Sequence, residues 1–98
     1  MSDKEWLLKI AAEVDANPDK WTKYRFAADA KNRAVAPRSK KAVCWCIMGF
    51  CHRDGRITAP RVLEIYHSIG GLSGINDSLG KASDFTDWLK SAAEVCVE

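Results

Sequence analysis

The chain has no apolar run long enough to cross a membrane. Its longest, Ala42 to Cys51, is ten residues, against about 20 for a spanning helix. It has no internal repeat and no low-complexity tract, which sets aside solenoids and tail-like segments. The N-terminus, Met1-Ser2-Asp3-Lys4-Glu5, is charged and carries no secretory h-region, so a cytoplasmic protein with reduced thiols is expected. No spacing joins His52 or His67 to the carboxylates into a triad or a catalytic acid pair. No catalytic residue, cofactor or metal is therefore expected, and the chain reads as a non-enzyme.

What is present is ordinary globular composition. Of 98 residues, 47% are hydrophobic and 29% charged, with four tryptophans, enough for one core and one domain over residues 1–98. Ser2 and Glu5 make a capping box ahead of Trp6, Leu7, Ile10, Ala11 and Val14 at helical spacing, which predicts a first helix ending before Asn17-Pro18. Tyr24, Phe26 and Val35 flank Asp29-Ala30-Lys31-Asn32, a hairpin or extended segment. Ser39 is the expected cap of a second helix from about Lys40 to His52, apolar almost all round and so central, stopped by Asp54-Gly55. Thr58 would cap a third, with Pro60 in its first turn, Val62, Ile65, Tyr66 and Ile69 inward, and Gly70-Gly71 at its end. Leu72 to Ala82 reads as loop with Leu72, Ile75 and Leu79 tucked in. Ser83 opens a last helix with Phe85, Trp88, Leu89, Ala92 and Cys96 in its core stripe. The expected fold is a mainly α, small four-helix domain with a short β-hairpin or extended segment between helices one and two.

Cys44, Cys46, Cys51 and His52 offer zinc-ligand chemistry. On one helix, however, Cys44 and Cys46 would point about 200° apart, and Cys44 and Cys51 would stand about 10 Å apart along the axis. Cys51, His52 and Cys96 could meet only across helices. Cys44, close to Lys40 and Lys41, is the least implausible nucleophile, but an apolar run raises a thiol's pKa. The cysteines read more simply as small buried apolar residues. Asp29, Asp54, Asn76 and Asp77 fall in expected loops, where functional residues collect.

The net charge of +2 hides a segregation. Residues 1–19 set Lys4 and Lys9 against five carboxylates, a net −3. Residues 20–61 carry eleven cations against Asp29 and Asp54, a net +9, and residues 62–98 carry two cations against six carboxylates, a net −4. The cations are Lys20, Lys23, Arg25, Lys31, Arg33, Arg38, Lys40, Lys41, Arg53, Arg56 and Arg61. Such a block suits phosphates, nucleic acid or an acidic protein face, with Trp21, Tyr24 and Phe26 as stacking surfaces. Ser39-Lys40-Lys41 at an expected helix start would add backbone donors. The alternative is that these charges lie on different faces and pair with the acidic first and last helices.

Trp21-Thr22, Ala28-Asp29-Ala30, Val35, Ala42-Val43, Trp45-Cys46, Gly49 and Asn76-Asp77 together resemble a family of small bacterial and phage proteins of unknown function. Its members carry an Ala-x-Asp-Ala element, a Trp-Cys-x-x-Gly helix and a later Trp-Asn-Asp. The likeness spans about residues 21–93; Ile75 replaces the later Trp, and Cys44 and Cys51 are additions. A tight helix crossing would ask for the same residues, with Gly49 admitting a neighbour and Cys46 filling a small pocket. The resemblance implies a bacterial or phage accessory protein and brings no activity.

The resulting expectation is a binding or regulatory protein without membrane association. It would engage an acidic protein or ribonucleoprotein through Lys23, Arg25, Lys31, Arg33, Arg38, Lys40, Lys41, Arg53 and Arg56, in a phage setting a host defence or regulatory complex. Direct binding of nucleic acid or a phosphorylated ligand is the second reading, and a thiol- or metal-dependent enzyme or sensor the third.

Overall fold

The computed structural model describes residues 1–56, 60–64 and 71–96. Helix α1 (Asp3–Ala16) begins as its sequence dictates. The Ser2 hydroxyl accepts from the Glu5 N–H at 3.1 Å, and the Glu5 carboxylate accepts from the Ser2 N–H at 3.4 Å, satisfying two otherwise orphaned donors. It ends at Asn17, whose side chain caps a short 3-10 turn, Pro18–Lys20.

The middle of the chain is a small β element. Strand β1 (Ala27–Ala28) pairs antiparallel with β2 (Cys44–Trp45), Ala27 opposite Trp45 and Ala28 opposite Cys44. On its other side β1 bridges Ala34, and Trp45 also bridges Trp21. Asp29 to Arg33 form the turn, with Asn32 at φ 62°, a conformation that asparagine tolerates. The hairpin expected there is present.

The second helix is shorter than expected. Helix α2 is Ile47–Arg53, and its N-cap is Cys46, whose sulfur accepts from the Gly49 N–H at 3.4 Å. Ser39 caps no helix. Its hydroxyl accepts the Lys41 N–H at 3.1 Å in a local turn, and the apolar run is divided between β2 and α2. The helix stops at Asp54-Gly55 as expected, with Gly55 at φ 73°.

Helix α3 (Gly71–Ser78) occupies the stretch expected to be loop, and Gly71, expected to end a helix, begins this one. Its apolar residues do turn inward: Ile75 is buried, and Leu72 and Leu79 pack against the core. Of the expected third helix, the 3-10 turn Arg61–Glu64 is described, with Leu63 fully buried. Thr58, Ile65, Tyr66, His67, Ile69 and Gly70 lie outside the described residues. Helix α4 (Ala82–Glu94) buries Phe85, Trp88, Leu89 and Ala92.

The described residues thus contain four α-helices and a short antiparallel pair between the first two. The central packing is not on α2 but between α1 and α4. Trp6, Leu7, Ile10, Ala11 and Val14 share one core with Phe85, Trp88, Leu89, Ala92 and Ala93, and α2 adds Ile47, Phe50 and Cys51. Both long helices present a full apolar stripe, whereas α2 has two turns and one buried face. Among the described residues, no helix is long and apolar enough to cross a membrane.

A candidate anion-binding surface

The basic residues separate into two groups once their surroundings are known. Arg53 is sandwiched. Its guanidinium donates to both Glu13 oxygens, at 3.2 and 2.8 Å, and to Asp54 at 2.8 and 3.2 Å, and it lies 4.8 Å from the Trp45 ring and 4.9 Å from that of Phe50. Arg56 pairs with Asp3 and lies 5.1 Å from the Trp6 ring. Lys20 approaches Glu13 at 3.7 Å. These three cations therefore neutralise the acidic face of α1. Burial works against the ionised form of Asp54, but hydrogen bonds from Arg53, Trp6 and Lys9 and the charge of Arg53 outweigh it and bring the carboxyl down to about 2. The same Arg53, with Lys9 and Lys20, outweighs burial at Glu13 and lowers its pKa.

The second group surrounds the β1 turn. Lys31, Arg33 and Lys41 line a surface hollow of about 260 Å³ together with Asp29 and Ala30. Asp29 is itself buried and occupied. One carboxylate oxygen accepts the N–H groups of Lys31 and Arg33, both at 2.9 Å, and the other accepts Arg33 Nε at 2.9 Å. The Arg33 backbone bond leads the lowering of its pKa, against the opposing effect of burial. Asp29 is thus the scaffold of the turn, and it offsets one of the three positive charges. Lys31, Lys40 and Lys41 are exposed and form no ion pair with the described residues. Arg38 is tied by Nε to the His52 carbonyl at 3.1 Å.

The remaining expected residues, Arg25 and Lys23, donate to backbone carbonyls. Arg25 donates to the carbonyl of Asn32, inside the turn. Lys23 donates to the Leu79 carbonyl at 2.8 Å and stands 5.4 Å from the Tyr24 ring. Of the three aromatic residues named as stacking surfaces, Trp21 is not one. It stacks on Phe85 at 5.4 Å, and its indole N–H donates to Asn76 at 2.9 Å. Tyr24 and Phe26 are exposed. The anion site expected at a helix start near Ser39 to Lys41 has no helix behind it.

Most residues of the motif from Trp21 to Asp77 have structural roles. Asn76, fully buried, accepts from Trp21 and from the Ile47 N–H at 3.0 Å and donates to the Thr22 carbonyl at 3.1 Å. Asp77 accepts the Tyr24 N–H at 2.8 Å. The Trp45 indole N–H donates to the Pro37 carbonyl at 2.9 Å. The sequence reading missed His52 as a stacking partner: its ring lies on Phe26 at 5.4 Å, and no spacing signal marks a pair brought together across the fold.

The thiols are dispersed. Cys44 is on β2, Cys46 caps α2, Cys51 is buried in α2 and Cys96 is half-buried beyond α4. Burial pushes the Cys46 thiol up and that of Cys51 to about 11, the wrong direction for a nucleophile. Among the described residues, no three His, Cys, Asp or Glu side chains are grouped to hold a metal ion. Comparison with models of protein families, with curated proteins and with solved structures finds no match.

Proposed function

We propose that this protein is a non-enzymatic binding module that engages an anionic partner through the β1 turn and the loop leading to β2. Supporting this is the hollow in which Lys31, Arg33 and Lys41 converge with only Asp29 to oppose them. Clustered cations raise the local positive potential and attract anions. Within the nine residues proposed from sequence, the interface narrows to Lys31, Arg33 and Lys41, with Lys40 next to Lys41 in the chain; Arg38 is held at the end of α2 by the His52 carbonyl. Arg53 and Arg56 act as internal partners of α1 instead. The context proposed with this reading is that of a phage or bacterial accessory protein acting on a protein or ribonucleoprotein assembly.

Titration of the isotope-labelled protein with inorganic pyrophosphate, followed by amide chemical shifts, tests the reading. Saturable shifts confined to Asp29–Arg33 and Lys40–Lys41, and lost on combining Lys31→Glu with Lys41→Glu, are expected. Weak shifts spread over every lysine-bearing surface would overturn it.

A further inference from the structure

We infer that the Tyr24–Phe26 surface beside the basic hollow is a base-stacking site, and that the anionic partner is a single-stranded nucleic acid. The inference rests on the anion-binding reading above and adds the chemistry of the ligand. Tyr24 is 75% exposed and Phe26 48% exposed. Tyr24 also sits at φ 70°, where a bulky L-residue is a genuine outlier. The backbone is held there by the bond from its N–H to Asp77 Oδ1. A ring so exposed adds little to the core, so core packing does not account for the conformation. The conformation does hold the aromatic ring out with the Lys23 ammonium over it, 5.4 Å from the ring centroid.

The neighbouring side chains extend this face. Phe26 is backed by the His52 ring, nearly parallel at 22°. Tyr24, Arg25 and Phe26 line a hollow of about 230 Å³ with Cys46 and Asp77, whose carboxylate accepts the Tyr24 N–H. Arg25 connects it to the basic hollow, because its guanidinium bonds the carbonyl of Asn32, which lies between Lys31 and Arg33 in the turn. An aromatic face beside a cationic track is the arrangement that binds single strands, the bases stacking while the phosphates follow the cations. A duplex hides its base faces, and an acidic protein would need the cations but not the rings.

The test is fluorescence anisotropy at low salt with labelled single-stranded RNA of about ten nucleotides, an equally long duplex, and poly-glutamate. The single strand is expected to bind more tightly than either alternative, with a log–log salt slope of about −2 for three neutralised phosphates. Tyr24→Leu is expected to weaken it by about tenfold or more, and Tyr24→Phe by no more than about twofold. Because the Tyr24 ring is exposed and Leu inherits the same backbone strain, both variants should keep the wild-type circular dichroism. Equal affinity of wild type and Tyr24→Leu, or poly-glutamate binding as tightly as RNA, overturns the inference. Pyrophosphate shifts that persist at the basic hollow would then leave the anion-binding reading standing, and their absence would remove both.

Discussion

At the scale of single residues, Gly49 is a position where only glycine fits. A Cβ built there would lie 1.8 Å from the carbonyl oxygen of Phe26 and 2.8 Å from its carbonyl carbon, so α2 starts directly on the backbone leading into β1. Backbone cannot rotate away as a side chain can, and forcing extra atoms into a filled site costs about 1–3 kcal/mol even where side chains yield. Gly49→Ala is therefore expected to lose about 3 kcal/mol or more, read as a lower urea midpoint. Gly80→Ala, whose Cβ would meet Asp84 at an ordinary 3.5 Å, should stay within about 0.5 kcal/mol of wild type. The sequence reading anticipated this role for Gly49, because a glycine inside an apolar helical stretch has few other uses. It could not reveal that the neighbour would be the strand segment carrying Phe26.

At the scale of elements, Asp54 joins the end of α2 to α1. Its Oδ2 accepts the Trp6 indole N–H at 2.8 Å and Lys9 at 3.1 Å, while Arg53 bridges it to Glu13. Because the folded carboxyl titrates at about 2, below its ordinary value of 3.8, Asp54 stabilises the fold at every pH above the unfolded value. That contribution is lost as pH falls from about 4 through 2. Asp54→Asn should be less stable than wild type at pH 7, with the gap narrowing between pH 4 and 2. Urea unfolding at pH 7, 4 and 2 checks this; a gap constant across the range would contradict it. Sequence revealed the stop at Asp54-Gly55 but not this junction, whose partners come from 45 and 48 residues earlier. Helix α1 was readable because cap and periodicity agree. The start of α2 was not, because a continuous apolar run carries no period to separate strand from helix. Helix α3 was hidden by its Gly, Ser and Asn content, a local preference overridden by the burial of Ile75 and the hydrogen bonds of Asn76.

At the scale of the whole molecule, the first and last helices pack on each other. Helices α1 and α4 form the central contact, and Asn76 on α3 is hydrogen-bonded both to the Trp21-Thr22 segment and to the start of α2. The β element that bears the candidate surface cannot come away from the helices without breaking the bonds of Asn76 to the Trp21 indole N–H and the Thr22 carbonyl, a cost of about 1–3 kcal/mol for each buried group left unpaired. The same separation would expose Phe85, on which Trp21 stacks. Local opening of the β element is thus coupled to loss of the core, and the molecule should unfold as one cooperative unit. The tryptophans make this measurable. Trp6 and Trp88 report on α1 and α4, while Trp21 and Trp45 report on the β region. Tryptophan fluorescence and helical circular dichroism should give the same urea midpoint, in wild type and in a Trp6→Phe, Trp88→Phe variant that leaves only the β-region reporters. An earlier midpoint for fluorescence in that variant would mean that the β element opens first, and that its anion-binding surface is held less rigidly than the hydrogen bonds of Asn76 require.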